Sequence, residues 1–368
     1  MKLDGIEDIL ADIRAGRMVI LMDDEDRENE GDLIMAAEKA TPEAIAFFVR
    51  YTSGIICLPM TGERLEELRL PQMVSDNTES HRTAFTVSVD YKHGTSTGIS
   101  AQDRARTIRA LADPASRPAD FTRPGHIFPL RCVEGGVLCR AGHTEASVDL
   151  VRLAGIASSA AVICEVVNDD GSMKRGAELE AFAREHKLRI GTIADLISYR
   201  LAREKTVERI AEREVPTEFG NFKLSVYQDR VNDTQHFALT AGGIDPAQPT
   251  LVRVHLQNTL ADVVGVNWDD LGWPLRHALK RVAEESGVVV ILRQPEEPGA
   301  LVERLRGHLN NAAGEEAAAA AAVLRTYGIG AQILLDLGVR RMRVLSQPKK
   351  MHGLSGFGLE VVEYVPCN

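Results

Sequence analysis

Nothing in this chain approaches the run of about 20 apolar residues that a membrane-crossing helix needs. Its opening, Met1-Lys-Leu-Asp-Gly-Ile-Glu, is amphipathic and acidic and has no basic-then-apolar signal pattern, so a cytoplasmic address is the expectation. Cysteine is scarce: Cys57, Cys132, Cys139, Cys164 and Cys367 form no C-x-x-C pair. Free thiols, most of them packed as small hydrophobes, are therefore expected. Basic charge is in deficit too, with 43 Lys and Arg against 53 Asp and Glu and a net charge of -10. That balance argues against a general nucleic-acid surface. A phosphate ligand would need a local basic pocket instead. No internal repeat relates the two halves.

What is present is enough for two domains. The chain has 368 residues, 44% of them hydrophobic and 26% charged, an ordinary globular balance. Residues 5–15 place apolar side chains at helical spacing, and Gly16 closes that helix. Met18-Val-Ile-Leu-Met22 has the length of a buried strand. Thr41-Pro-Glu starts a helix, with threonine as cap and proline in the first turn. Further strands are predicted at 55–59, 84–90, 136–140 and 160–168, and helices at 102–112, 144–155, 175–186 and 192–204. Alternating strands and helices imply a layered domain of both element types. The charged stretch 201–216 predicts a helix joining the two domains. Beyond it, strands are predicted at 222–228, 236–241, 251–256, 287–293, 341–346 and 359–364, with helices over the alanine-rich stretch from Glu315 and at 330–337.

Four polar clusters stand out. Asp23-Asp-Glu-Asp-Arg-Glu-Asn-Glu-Gly-Asp32 follows the first strand. It reads either as a solvated acidic loop or as a set of hard oxygen ligands for Mg²⁺ or Mn²⁺, with Gly31 easing a tight path beside the carboxylates. Gly94-Thr-Ser-Thr-Gly-Ile-Ser-Ala-Gln-Asp-Arg-Ala105 is either a capped helix start, through Ser100 or Gln102, or a hydroxyl-rich loop for sugar or phosphate. Arg123-Pro-Gly-His-Ile-Phe-Pro-Leu130 holds His126 in a stiffened turn. Arg140-Ala-Gly-His-Thr-Glu-Ala-Ser-Val-Asp-Leu150 brings an arginine, free amides and a hydroxyl to one helix start, with His143 beside them as a possible metal ligand. Glu165 lies inside the apolar strand Ala161–Val167, where burial would make its carboxyl a candidate base.

Together these four stretches, in this order over roughly residues 3–200, resemble 3,4-dihydroxy-2-butanone 4-phosphate synthase of riboflavin biosynthesis. The resemblance implies an α+β fold with a mixed β-sheet and helices on both faces. It implies that Glu28 and His143 hold two divalent ions, Mg²⁺ or Mn²⁺. Arg27, Glu28, Asp32, Arg140, Ala141, Gly142, His143, Thr144 and Glu165 would contact ribulose 5-phosphate, with His126 and Glu165 essential to catalysis. Cys57 matches a pocket-lining cysteine, and a homodimer is implied. The family's reaction forms an enediolate, rearranges the carbon skeleton and expels formate.

Residues from about 217 to 366 resemble GTP cyclohydrolase II in Leu251-Val-Arg-Val-His255, in the stretch from Tyr327 to Val339, and in that from Gly356 to Glu363. The departures concern chemistry. The family's three zinc-binding cysteines are represented by Asn258, Asp269 and Leu271, and no cysteine occurs between Cys164 and Cys367. Val323 replaces the aspartate that acts as general base, although Arg325 is kept, and Arg293-Gln-Pro-Glu-Glu-Pro-Gly299 replaces the phosphate-binding stretch. The expected organisation is a synthase domain over 1–204, a linker over 205–216, and an α/β cyclohydrolase-like domain over 217–368 that holds no zinc and does not open GTP. A bifunctional enzyme, a regulatory binding module in the second domain and a non-catalytic scaffold are the competing readings. No nucleic-acid or membrane partner is expected.

Overall fold

The computed structural model describes residues 3–24, 27–79, 81–231, 233–266, 273–293, 328–347 and 359–367. Asp269, Leu271, Val323 and Arg325, the alanine-rich stretch, Tyr327 and Gly356–Gly358 lie outside them. The chain divides into two compact units, Met1–Ile197 and Ser198–Asn368.

The first unit is built on seven strands: β1 (Val19–Met22), β2 (Gly31–Ala36), β3 (Cys57–Met60), β4 (Val89–Tyr91), β5 (Phe121–Arg131), β6 (Ala161–Glu165) and β7 (Arg189–Thr192). Their order is β4-β5-β3-β6-β2-β1-β7. The sheet is mixed: β1 runs parallel to β7 and antiparallel to β2, while β3 is parallel to β5. Among the described residues six helices accompany it: α1 (Ile6–Arg14), α2 (Pro42–Tyr51), α3 (Gly62–Glu67), α4 (Ala101–Ala112), α5 (His143–Leu153) and α6 (Gly176–His186); a seventh, α7 (Ile193–Arg203), starts in the first unit and ends in the second.

Every residue of β1 and β2 is buried, so both faces of the central sheet are covered. Ile20, Met22, Leu33 and Met35 cluster with Phe48 of α2, Ile108 of α4 and Phe182 of α6. On the other face, a Cβ added at Gly191 would touch both Ile9 of α1 and Leu21 of β1. α2 starts as expected, with the Thr41 hydroxyl accepting from the Ala44 N–H and Pro42 in the first turn. Gly16, at φ 78°, takes the left-handed turn just past α1.

Three expectations give way. Residues 123–130 are not a turn but the middle of β5, an 11-residue strand that accepts Pro124 and Gly125 because its ladder with β4 is interrupted there. The strand expected at 136–140 is a 3₁₀ turn, Gly136–Leu138, held by the Val137 N–H donating to Asp149 Oδ2 at 2.9 Å. The charged helix expected over 201–216 is half strand: α7 ends at Arg203, and Val207–Thr217 is β8. Its alternating charges meet partners across the ladder, Glu212 pairing with Lys223 at 2.7 Å, and this pairing overrides helical propensity.

The second unit has β8, β9 (Gly220–Asp229), β10 (Thr234–Ala241), β11 (Pro249–Leu256), β12 (Gly287–Leu292), β13 (Arg341–Leu345) and β14 (Glu360–Val365), in the order β14-β13-β11-β12-β10-β9-β8. Helix α8 (Leu275–Glu285) packs Ala278 and Val282 with Val289 and Phe222, while helical residues 328–336 pack Ile333 and Leu334 with Val288 and Val290. The alternation along β12 thus places one helix on each face. Of the five thiols only Cys57 and Cys164 are buried, fewer than the composition suggested.

Candidate metal centre and active site

β1 ends at Met22 and β2 begins at Gly31, so the acidic loop is a connection between two buried antiparallel strands. Asp23 organises it. Its Oδ1 accepts the Glu30 N–H at 2.9 Å, and its Oδ2 accepts the Glu28 N–H at 3.1 Å and an Arg27 Nη1 proton at 2.9 Å. Arg27 also pairs with Glu28. Among the loop's described residues, Asn29 is left-handed, at φ 53°. Gly31 serves a different purpose from the one expected: a Cβ there would lie 2.6 Å from Leu179 Cδ1, so it permits close approach of α6.

His143 is the first residue of α5, buried, and faces this loop. Its Nε2 lies 3.2 Å from the Leu21 carbonyl oxygen. A carbonyl only accepts, so Nε2 carries a proton and the neutral ring presents its Nδ1 lone pair on the other side. There Nδ1 lies 3.7 Å from Glu28 Oε2 and 3.7 Å from Asp32 Oδ1. Asp23, Glu28 and His143 each bring a ligand atom within 4.8 Å of one another.

The charges of this group press on one another. Burial pushes the Asp32 carboxyl up, His143 opposes that, and Glu165, Glu28 and Glu30 add to it, leaving it at about 8. For His143 burial favours the neutral ring, but Asp32, Glu28 and Asp23 raise it to about 9. Burial raises Glu28 as well, yet His143, Arg27 and His81 outweigh it and hold it at about 2. Asp32 Oδ1 is buried without a hydrogen-bond partner. Once Asp32 and His143 give up their protons, an enclosed, unsatisfied carboxylate oxygen beside an imidazole lone pair and a second carboxylate fits a hard divalent cation.

Asp32 sits opposite Glu165 in the β2–β6 ladder. Of this facing pair the enclosed acid is Asp32, 2% exposed, not Glu165 as the sequence suggested. Glu165 is half-buried at the end of β6 and accepts a 2.6 Å hydrogen bond from the Ser53 hydroxyl. Cys57 is buried near it, and burial raises its thiol well above the usual range.

Arg140 donates to Glu145 at 2.6 Å, to the His81 carbonyl at 3.1 Å and to Thr83 at 3.2 Å, which ties residues 81–83 to the start of α5. Ala141 and Gly142 lead into that helix and Thr144 is buried in its first turn. At Gly142 a Cβ would approach Arg140 Nη1 to 2.5 Å. The hydroxyl-rich loop is closed by Asp103, whose Oδ2 accepts from Ser96 and from the Gly98 N–H, and Ser100 caps α4. His126 pairs with Asp90, its Nδ1 2.7 Å from Asp90 Oδ2. Two partners carried no sequence signal: neither Asp90 nor Ser53 lies in a recognisable motif.

In the second unit, Asn258 is part of a hydrogen-bonded corner. Its Oδ1 accepts from the Leu260 and Ala261 N–H groups, and Asp262 accepts from its backbone and faces His255 Nε2 at 2.9 Å.

Residues 7–199 match the 3,4-dihydroxy-2-butanone 4-phosphate synthase family and residues 208–366 the GTP cyclohydrolase II family. The chain is 53% identical, over 100% of both sequences, to a 3,4-dihydroxy-2-butanone 4-phosphate synthase of Pseudomonas aeruginosa. It is 50% identical, over 99% of itself and 91% of the relative, to riboflavin biosynthesis protein RibBA of Mycobacteroides abscessus. RibBX of A. baumannii, a two-domain 3,4-dihydroxy-2-butanone 4-phosphate synthase, superimposes with a TM-score of 0.83 at 42% identity, over 99% of this chain and 100% of that one. A synthase crystallised with two magnesium ions matches at TM-score 0.52 and 50% identity, over 54% of this chain and 96% of its own. By motif order, by sequence over its whole length and by fold, the chain belongs to the 3,4-dihydroxy-2-butanone 4-phosphate synthase family.

Proposed function

We propose that the first unit carries the whole of the chemistry: conversion of D-ribulose 5-phosphate to L-3,4-dihydroxy-2-butanone 4-phosphate and formate, a step of riboflavin biosynthesis. The observation that supports this most is the meeting of Glu28, Asp32 and His143 around the unsatisfied Asp32 Oδ1. Glu28 and His143 would hold the divalent ions, Mg²⁺ or Mn²⁺, with Asp23 shaping the loop behind them. Bound there, such ions supply positive charge for the oxyanions of an enediolate. Arg27, Asp32 and residues Arg140–Thr144 would contact the substrate, Arg140 on its phosphate side. Glu165, steadied by Ser53, would move protons at the sugar, and His126 would do so on a second side. The second unit holds hydrogen bonds rather than thiolates around Asn258, which supports the reading that it does not hydrolyse GTP. A structural or regulatory role remains for it. A homodimer is expected, checked by light scattering.

The experiment is an assay of the purified chain with each substrate. Ribulose 5-phosphate and Mg²⁺ should give formate, whereas GTP with added zinc should give neither formate nor pyrophosphate. GTP turnover at ordinary enzyme rates would replace this reading by the bifunctional one.

A further inference from the structure

The backbone pairing of β2 with β6 continues past Glu165. The Gly31 carbonyl accepts the Val166 N–H at 2.9 Å, and the Val166 carbonyl accepts the Lys174 N–H at 3.0 Å. Residues 166–174 fold back on themselves, with Val167 bridged to Met173. Side chains tie the tip of this hairpin: Asn168 Nδ2 donates to the Ser172 hydroxyl at 3.1 Å, and Lys174 Nζ donates to Asn168 Oδ1 at 2.6 Å. The hairpin leaves the sheet directly after Glu165 and delivers Arg175 beside the acidic loop.

Arg175 grips that loop just past Glu28. Its Nε donates to the Asn29 carbonyl at 2.9 Å, and its Nη2 lies 3.7 Å from Glu30 Oε1. Asn29 is left-handed, at φ 53°, a conformation that a side-chain-bearing residue keeps only where its surroundings hold it. Glu30 lies in the field of Glu28, Glu165 and Asp23, and Arg175 opposes these carboxylates. Arg175 is itself fixed, because its backbone N–H donates to Glu178 Oε2 at 3.2 Å at the start of α6. Asp23 and Arg27 brace the loop from within, and Arg175 braces it from outside.

We propose that Arg175 is a positioning residue for the metal centre, holding Asn29 and Glu30 so that Glu28 already faces His143 before a divalent cation arrives. Crowded carboxylates repel one another, and a loop that had to be gathered around the cation would add its ordering cost to binding. A loop held in place from outside avoids that cost, so the effect belongs to cation affinity rather than to the rate once the cation is bound. The proposal rests on the reading that Glu28 and His143 hold the divalent ions.

The test measures Mg²⁺ binding by titration calorimetry, without substrate, in the intact chain and in Arg175→Ala, Arg175→Lys and Glu28→Ala, with thermal melts of each. The Arg175 side chain is 52% exposed, so its removal should leave the fold intact. We expect Arg175→Ala to raise the Kd for Mg²⁺ by about tenfold or more, the usual effect of losing an outer partner of a metal ligand. Its kcat at saturating Mg²⁺ should fall far less than its affinity. Arg175→Lys keeps a charge beside Glu30 but not the Nε proton at the Asn29 carbonyl, and should bind Mg²⁺ more weakly than the unmodified protein. A lowered melting temperature with an unchanged Kd in Arg175→Ala, or an unchanged Kd in Arg175→Lys, overturns the positioning role alone. Unchanged Mg²⁺ affinity in Glu28→Ala overturns the placement of the metal and the proposal with it.

Discussion

His143 Nδ1 and Asp32 Oδ1 face each other at 3.7 Å, both buried, and the carboxylate oxygen has no other partner. In the metal-free protein burial and the neighbouring acids push the Asp32 carboxyl up and the surrounding carboxylates push His143 up, so the pair holds protons more tightly than either group does in water. A metal ligand must be neutral imidazole or ionised carboxylate, so binding has to expel protons. Titration calorimetry with Mg²⁺ at pH 7, in buffers of different ionisation heat, should show release of about one proton or more per site, and affinity should strengthen as pH rises toward 9. Binding heats independent of the buffer would contradict this.

The same groups set the pH dependence of stability in the metal-free protein. Glu28 is held below its ordinary value, at about 2, so its contribution is present above about 4.5 and fades as pH falls toward 2. His143 and Asp32 are raised, so theirs is complete below their ordinary values and is lost as pH rises through 8 and 9. Thermal melts should decline at both ends, and His143→Ala should flatten the alkaline side. A His143→Ala protein with the full alkaline decline would remove this cause.

Ser53 offers a milder perturbation. Its hydroxyl donates to Glu165 at 2.6 Å, and its backbone N–H donates to the Glu165 carbonyl at 2.9 Å. Ser53→Ala removes the first, along with the hydroxyl's 3.2 Å contact to Cys164 Sγ, and keeps the second, so the fold should persist while kcat drops roughly tenfold, the equivalent of one hydrogen bond to a charged group at about 1.5 kcal/mol. An unchanged kcat would show that Glu165 needs no such support.

Gly31 tests the packing beneath the acidic loop. The methyl of Gly31→Ala would press on Leu179, which is 1% exposed, and should cost about 1–3 kcal/mol by overpacking. Pairing it with Leu179→Ala should remove that overpacking, because the added and removed volumes face each other. Denaturant unfolding of the single and double variants checks this; a stable single variant would show that α6 yields freely.

Much of the fold was legible where local chemistry decides it. Thr41-Pro42, Ser100 with Asp103, and Gly16 all cap or close helices as their side chains and backbones require. Long-range pairing was not legible. Pro124 and Gly125 read as turn residues, and only the interrupted ladder beside Asp90 lets them sit within a strand. Likewise Val207–Thr217 has helix-forming residues, but ten-residue β9 is available to pair with it. The site followed the same division. Motifs marked Glu28, His143 and His126, while Asp90 and Ser53 reach His126 and Glu165 only because the fold carries them there.

The most direct test of the account is formate release from ribulose 5-phosphate, measured against Mg²⁺ concentration for the intact chain and for Glu28→Ala. The intact chain should turn over substrate with saturating dependence on Mg²⁺, and Glu28→Ala should lose about 10²-fold or more of the rate together with tight Mg²⁺ binding. Undiminished turnover by Glu28→Ala, with the same Mg²⁺ dependence, would contradict the placement of the metal and of the reaction in this site.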